Sequence, residues 1–274
     1  MIPVAFDYER ATSTEQALNL LAEHGDEAKL IAGGHSLLPL MKYRLAAPAV
    51  LIDIGRLEEL SYIRDEGEEL AIGALTRHCE VEHSDLVRSQ VGLLAAATSE
   101  VGDPQVRHRG TIGGAMAHGD PASDLPAALI ALRGSLVIDG PSGRRQVEAD
   151  SFFTGFLETD LGEDEMLVEV RLPKLPDSTW SFQKFNRRAQ DWAIVGSAVV
   201  VDQGICGVGL VNMDSRPIRA TAVEEAIKNG SSAAEASELA ADGCEPPADI
   251  NAGMDYRCHL ARVLTRRGLE ESGR

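Results

Sequence analysis

Cysteine is scarce in this chain of 274 residues, and its four copies are not spaced as metal ligands. No two of them form a CxxC pair, and only Cys79 and Cys258 have a histidine beside them. Structural zinc sites and iron–sulfur clusters need groups of thiolate or imidazole ligands, so the sequence argues against either one within this chain. The pattern indicates isolated reduced thiols in a cytosolic protein.

Two common nucleotide-binding motifs are also missing. The sequence contains no GxGxxG and no GxxxxGK[ST]. A nicotinamide-binding Rossmann domain and a P-loop are therefore poorly supported.

The chain also has few basic residues relative to acidic ones, and it has no long apolar run. Lysine and arginine number 26 against 43 acidic residues, which gives a formal net charge of −17. Such a surface repels phosphate backbones, so we expect no nucleic-acid partner, and a bound phosphate has to be held locally by N–H groups or a few cations. The longest apolar run, residues 193–201, is far shorter than the ~20 residues of a membrane span. With no basic-then-apolar leader at the N-terminus, we expect a cytoplasmic protein.

What the chain does have is two glycine pairs in segments of small residues. The first glycine segment is Ala32, Gly33, Gly34, His35 and Ser36, and the second is Thr111, Ile112, Gly113, Gly114 and Ala115. Each pair follows an apolar run and is predicted to lie where a strand ends. Without Cβ atoms, the backbone turns tightly and lets a ligand approach its N–H groups, which together form an anion nest. We expect the two segments, in which Ser36 and Thr111 lie 75 positions apart, to meet around one diphosphate.

Hydrophobic periodicity divides the chain at Pro173 and Pro176. Before this break the pattern predicts a mixture of strands and helices, and after it three antiparallel strands followed by helices. The predicted strands are residues 29–32, 50–54, 60–64, 69–74, 135–139, 144–147, 166–172, 181–185, 193–201 and 205–212. The predicted helices are residues 13–23, 91–100, 125–132, 220–228, 232–241 and a last one from about 255, in which Tyr256, Leu260, Val263 and Leu264 form the apolar face.

At these segments the sequence resembles the FAD-binding medium subunit of molybdenum hydroxylases. The run AGGHSLLPLMKYR from Ala32 is similar to the family's first FAD motif, and DPQVR, TIGG and GDPASDLP, at residues 103–107, 111–114 and 119–126, are similar to its second. The resemblance covers essentially the whole chain. Within the family it is nearest to the medium subunits of aerobic carbon monoxide dehydrogenases.

The resemblance implies an α+β fold: a two-lobed FAD-binding domain of the vanillyl-alcohol-oxidase type, followed by a C-terminal domain of antiparallel sheet plus helices. The FAD-binding domain is expected at residues 1–175, with lobes of about 1–55 and 56–175, and the C-terminal domain at 176–274. Both glycine segments would wrap the FAD pyrophosphate. Asp124 would contact the ribityl or phosphate region, Leu167 would pack near the cofactor, Lys184 would lie near the flavin, and Trp192 would lie near the isoalloxazine.

Each of these residues also has an ordinary structural explanation. Ser36 and Asp124 are good helix caps, His35 can simply hold a turn, and Lys184 can be solvated. Many family members have Asn where this chain has Ala115, so an amide hydrogen bond to FAD is lost here and the resemblance implies backbone contacts alone at that position.

The resemblance also implies a complex in which this chain has no catalytic side chain, because the flavin itself is the redox group. A large subunit would carry the molybdenum cofactor and a small subunit two [2Fe–2S] clusters, in a dimer of heterotrimers that passes electrons to a quinone. Attachment at the inner membrane would occur only through partners. Carbon monoxide oxidation is the expected reaction. The alternatives are the same role in oxidation of an N-heterocycle, purine or aldehyde, and an assembly module without flavin.

Overall fold

The computed structural model describes residues 2–274 and builds them into three main sheets. In chain order the strands are β1 Asp7–Arg10, β2 Ala28–Ile31, β3 Val50–Asp53, β4 Ile63–Asp65, β5 Glu69–Gly73, β6 Ser135–Asp139, β7 Arg145–Glu148, β8 Phe153–Gly155, β9 Glu158–Thr159, β10 Met166–Pro173, β11 Thr179–Phe185, β12 Val195–Asp202, β13 Ile205–Val211 and β14 Ile218–Arg219. The helices are α1 Thr14–His24, α2 Leu37–Tyr43, α3 His78–His83, α4 Asp85–Gln90, α5 Gly92–Ser99, α6 Pro104–Arg109, α7 Ile112–His118, α8 Asp124–Ala131, α9 Ala149–Phe152, α10 Thr221–Lys228, α11 Ala233–Ser237 and α12 Met254–Glu271.

The first lobe is a small parallel sheet in the order β1-β3-β2, with α1 and α2 as its connections. Ser13 caps α1 by accepting a hydrogen bond from the Gln16 N–H at 3.1 Å. Strand β2 ends directly before the first glycine segment, and α2 begins directly after it. The parallel sheet therefore carries the first glycine segment at the carboxyl end of β2, where parallel sheets usually place ligand loops.

The second lobe is an antiparallel sheet in the order β4-β5-β10-β6-β7. A bulge between Leu167 and Glu169 reverses the alternation of side chains along β10, so Met166 and Val168 join the core of the first lobe while Val170 and Leu172 join the core beneath α5 and α8. The first lobe therefore covers one face of this sheet, and the two lobes pack around a common hydrophobic core.

The C-terminal sheet has the order β11-β12-β13-β14 and is likewise covered on both faces. Val199 and Val201 of β12 pack on the helices that follow, whereas Ala198 and Val200 face the second lobe. This explains why residues 193–201 form a continuous apolar run and do not alternate in polarity. Helix α8 lies directly on β13, since a Cβ on Gly209 would lie 2.0 Å from the Ala127 carbonyl oxygen.

The apolar face predicted for the last helix is partly wrong. Leu260 and Leu264 are buried, but Tyr256 is exposed. Thr265 and Gly268 occupy the buried face instead: the Thr265 hydroxyl lies 3.0 Å from that of Ser197, and Gly268 packs on Val199. A pattern based on apolar residues alone overlooks a buried threonine or glycine. The predicted buried face is therefore rotated about the helix axis relative to the observed one. Across residues 2–274, no helix combines the length and apolarity needed to cross a bilayer.

Candidate functional site

The first glycine segment forms a loop whose N–H groups point away from protein acceptors. None of the N–H groups of residues 33–36 has a hydrogen-bond acceptor within residues 2–274. Gly34 has a φ of +78°, a conformation that costs glycine little and other residues more. His35 is exposed, and the side chain of Ser36 makes no capping bond to α2, so the ordinary cap explanation for Ser36 is wrong. Successive free N–H groups at the start of a helix are suited to an anion.

The second glycine segment begins a helix, so the expectation that it ends a strand is wrong. Thr111 is the N-cap of α7, and the N–H groups of residues 112–115 all have acceptors inside the protein. The first two donate to the Thr76 and Ala74 carbonyls at 3.0 and 2.9 Å, and the other two donate to the hydroxyl and carbonyl of Thr111 at 3.2 and 3.0 Å. A second free nest does not exist here, because these amides extend the neighbouring strand and start α7.

The two glycine segments nevertheless meet in space. A Cβ atom on Gly33 would lie 2.3 Å from the Arg109 carbonyl oxygen and 3.0 Å from the Gly110 Cα. Real Cβ atoms essentially never approach this closely, so only glycine fits at position 33. Gly114 is exposed, and Ala115 is half-buried at the start of α7. The site therefore consists of one loop with free N–H groups, the first glycine segment, packed against the residues that lead into the N-terminus of α7.

Four residues of the predicted site are part of the core behind this surface. Ile112 and Thr111 are buried, and Gly113 is small because a Cβ there would lie 2.5 Å from the Ala74 Cβ. Leu167 is 5% exposed and lies in β10 beside a bulge, against which α7 packs. These residues shape the backbone under the loop.

Asp124 and Lys184 form a buried ion pair between the two predicted domains. The Lys184 Nζ lies 2.7 Å from Asp124 Oδ2 and 2.9 Å from the Glu100 carbonyl oxygen, and the two side chains are only 4% and 6% exposed. The solvated-lysine explanation is therefore wrong, and the helix-cap explanation for Asp124 is also wrong, because Ser123 occupies the N-cap position of α8. The other carboxylate oxygen of Asp124, Oδ1, is buried without a partner among residues 2–274. An unpaired buried acceptor is costly, so it marks a place for a donor such as a ligand hydroxyl.

Burial raises the pKa of Asp124 to about 6 from an ordinary value of 3.8, although the Lys184 ammonium acts in the opposite direction. Since the folded-state pKa lies above the unfolded one, the folded chain binds this proton more tightly. The contribution to stability is fully present below the unfolded pKa and is lost as the pH rises through about 6. The shift corresponds to about 3 kcal/mol.

Trp192 lies on the loop between β11 and β12 and is 58% exposed. Its loop is tied to the start of α8. Asn212 donates from its backbone N–H to the Pro121 carbonyl and from Nδ2 to the Ala193 carbonyl, both at 2.8 Å. Trp192 therefore lies in a loop fastened near Asp124, and its ring is open to a partner or ligand.

The sequence reasoning missed Arg77, Asn212 and the Glu100 carbonyl. Arg77 donates from Nη1 to the Arg109 carbonyl, directly behind Gly33. The sequence gives little indication of either residue. Arg77 is one of many charged residues outside the motifs, and no local motif predicts the φ of +60° that Asn212 adopts. A backbone acceptor such as the Glu100 carbonyl has no residue-type signature at all.

These residues fit FAD on three observations. Free N–H groups at residues 33–36 suit a diphosphate, the orphaned Asp124 Oδ1 suits a hydroxyl donor, and the absence of a Cβ at Gly33 keeps the loop against Arg109. Residues 4–175 match the family described as the FAD binding domain in molybdopterin dehydrogenase. Residues 180–272 match the CO dehydrogenase flavoprotein C-terminal domain.

Known proteins resemble this chain over nearly its full length. The carbon monoxide dehydrogenase medium chain of Hydrogenophaga pseudoflava is 41% identical over 98% of this chain and 97% of its own length. The 6-hydroxypseudooxynicotine dehydrogenase complex subunit alpha of Paenarthrobacter nicotinovorans is 35% identical over 99% of this chain and 96% of its own length. The solved carbon monoxide dehydrogenase of Hydrogenophaga pseudoflava that lacks the Mo-pyranopterin moiety superposes with a TM-score of 0.96 at 41% identity, covering 99% of this chain and 98% of that one.

The expected fold, two FAD-binding lobes followed by an antiparallel sheet with helices, is confirmed. FAD is accordingly the cofactor of this chain, and its role is that of an oxidoreductase subunit. The chain belongs to the family of FAD-binding flavoprotein subunits of molybdenum hydroxylases.

Proposed function

We propose that this chain is the electron-transfer flavoprotein of a molybdenum hydroxylase complex that oxidises carbon monoxide. The free N–H groups of residues 33–36 carry the proposal, because they supply a local anion site in a chain of net charge −17. When bound, the flavin accepts and releases electrons, and the protein binds and orients it.

The site residues have separate roles in this proposal. The diphosphate is held by the first glycine segment, which consists of Ala32, Gly33, Gly34, His35 and Ser36. It is bordered by Gly114 and Ala115. Thr111, Ile112 and Gly113 fix the start of α7 beneath it, and Leu167 packs below. Asp124 accepts a hydrogen bond from the ribityl chain through Oδ1, Lys184 neutralises Asp124, and Trp192 covers the isoalloxazine.

The division of the chain follows the same proposal. Residues 1–175 form the FAD-binding domain, with lobes of about 1–55 and 56–175, and residues 176–274 form the C-terminal domain. The Asp124–Lys184 ion pair crosses this boundary and fastens the two domains beside the flavin.

The partners complete the electron path. We infer a large subunit with the molybdenum cofactor and a small subunit with two [2Fe–2S] clusters, assembled as a dimer of heterotrimers in the cytoplasm, with a quinone as acceptor. The 41% identity to a carbon monoxide dehydrogenase medium chain supports carbon monoxide as the substrate. A relative that belongs to a 6-hydroxypseudooxynicotine dehydrogenase complex supports the alternative, oxidation of an N-heterocycle.

Flavin content tests the first part of the proposal. The purified full chain is expected to contain FAD at one per chain, measured by visible absorbance and by chromatography of the released cofactor. A colourless chain that takes up no added FAD would instead support a flavin-free assembly module. Purification of the complex with its partners, followed by metal analysis and assays with carbon monoxide and with N-heterocycles, separates the two substrate proposals.

A further inference from the structure

Arg77 joins the two lobes at the point where the glycine segments meet. It lies between β5 and α3, forms an isolated β-bridge with Thr111, and its backbone N–H donates to the Glu80 carboxylate at 2.8 Å. The backbone of Arg77 is thus fixed from both sides. Its side chain is directed by this geometry towards the first lobe.

The Arg77 guanidinium bridges backbone carbonyls on two segments. Nη1 donates to the Arg109 carbonyl, and Nη2 lies 3.5 Å from the Gly55 carbonyl oxygen, just past β3. The Arg109 carbonyl is the same group against which Gly33 packs. The planar guanidinium therefore ties the Arg109 carbonyl, on which Gly33 packs, to the backbone just past β3. Two donors in one plane suit this bridge, which favours arginine over lysine.

His78, the next residue, supports the same segment from beneath. Its N–H donates to the Gly110 carbonyl at 3.0 Å, and a Cβ on Gly110 would lie 2.6 Å from the His78 ring. Burial and the neighbouring Arg107 lower the pKa of His78 to about 4, so the ring is neutral at physiological pH. His78 positions the backbone and adds no charge.

The positive charge at this place is only partly offset by the protein, since the Glu80 and Asp53 carboxylates act on Arg77 from a distance and form no ion pair with it. Arg77 and Arg109 are close enough to repel, and within residues 2–274 neither guanidinium forms an ion pair. The Glu80 carboxylate is engaged by the Arg77 backbone. Two guanidiniums without an ion pair therefore lie next to four free N–H groups, in a chain of net charge −17. Together they form a positively charged site that can bind an anion.

We propose that Arg77 is the positioning cation of the diphosphate site: its guanidinium clamps the Arg109 carbonyl against Gly33 and supplies the charge that favours a dinucleotide diphosphate. The inference rests on the proposed function, since it takes FAD as the ligand. It adds a residue from outside both glycine segments, on the far side of the contact between them.

The test compares Arg77→Met with Arg77→Lys and with Arg267→Met in the full chain. Arg267 is exposed on α12 in the C-terminal domain, so its variant removes one charge without touching the site. FAD affinity is measured by quenching of flavin fluorescence at low and high salt, and the fold by circular dichroism and thermal unfolding without FAD.

Arg77→Met is expected to raise the Kd about tenfold or more, since a charge-assisted contact is lost. The dependence of its Kd on salt should also become weaker, which loss of a purely structural contact would not cause. Arg77→Lys is expected to retain the salt dependence but not the full affinity, and Arg267→Met to match the unaltered chain.

A Kd for Arg77→Met equal to that of Arg267→Met, or an unchanged salt dependence, would overturn the inference. If Arg77→Met does not fold, Arg77→Lys decides: full affinity with lysine would overturn the bridging role. Failure of the unaltered chain to bind FAD would instead refute the proposed function, so the two failures are distinguishable.

Discussion

Substitution of Gly33 by alanine tests the contact on which the site depends. The new Cβ would lie 2.3 Å from the Arg109 carbonyl oxygen, a backbone atom that cannot rotate away. Restoring an ordinary separation requires a movement of roughly 1 Å between the first glycine segment and the approach to α7. Overpacking of this kind costs about 2 kcal/mol of folding free energy.

The same movement misaligns the free N–H groups of residues 33–36. If about 2 kcal/mol of binding energy is lost with them, the Kd for FAD rises about 30-fold. Urea unfolding of the chain without FAD measures the first effect, and a fluorescence titration with FAD measures the second.

Gly253→Ala is the matched control, because Gly253 has an ordinary negative φ and no atom within 4 Å of its Cβ position. Its effect on stability is expected to stay within about 1 kcal/mol, the scale of an altered helix cap. Gly114→Ala should be intermediate, since the nearest atom is the Thr111 hydroxyl at 2.7 Å and the residue is exposed. Normal FAD affinity in Gly33→Ala would refute the claim that this contact sets the loop.

Three further outcomes are expected. The unfolding free energy of the chain minus that of Asp124→Asn should fall by about 3 kcal/mol from below pH 4 to above pH 6, measured by urea unfolding without FAD; a difference independent of pH would show that the Asp124 pKa is not raised. Trp192→Ala should change the visible spectrum or the reduction potential of the bound flavin more than the flavin stoichiometry, and an unchanged spectrum and potential would remove Trp192 from the site. Gly209→Ala should destabilise the chain by about 1–3 kcal/mol, because its Cβ would lie 2.0 Å from the Ala127 carbonyl oxygen under α8; unaltered urea unfolding would contradict that packing.

Local patterns predicted many of the elements because they depend on neighbouring residues. The hairpin of β4 and β5, the three consecutive strands of the C-terminal sheet, and the Ser13 cap of α1 all follow from short-range alternation, turn residues or a hydroxyl at a helix start. Short elements such as β1, α6 and α9 were missed, since a few residues of mixed polarity carry no period.

The second glycine segment shows where local reasoning fails. Paired glycines allow a tight turn, but they also allow a helix to begin against another strand. The choice depends on the Thr76 and Ala74 carbonyls, which capture the N–H groups of Ile112 and Gly113 from more than 30 residues away in sequence. No pattern around Gly113 contains that information.

The sequence by itself determined the family and the cofactor through its resemblance to known FAD motifs, and it predicted the first glycine loop from a glycine pair, because motifs and glycine pairs are properties of residue type and local order. Only the tertiary structure decided that Gly33 rests on the Arg109 carbonyl, that Lys184 neutralises Asp124, and that Arg77 crosses between lobes. These contacts join residues 60 or more positions apart in the first two cases and two separate backbone segments in the third. Their energies depend on burial and distance, which exist only once the sheets and helices have packed.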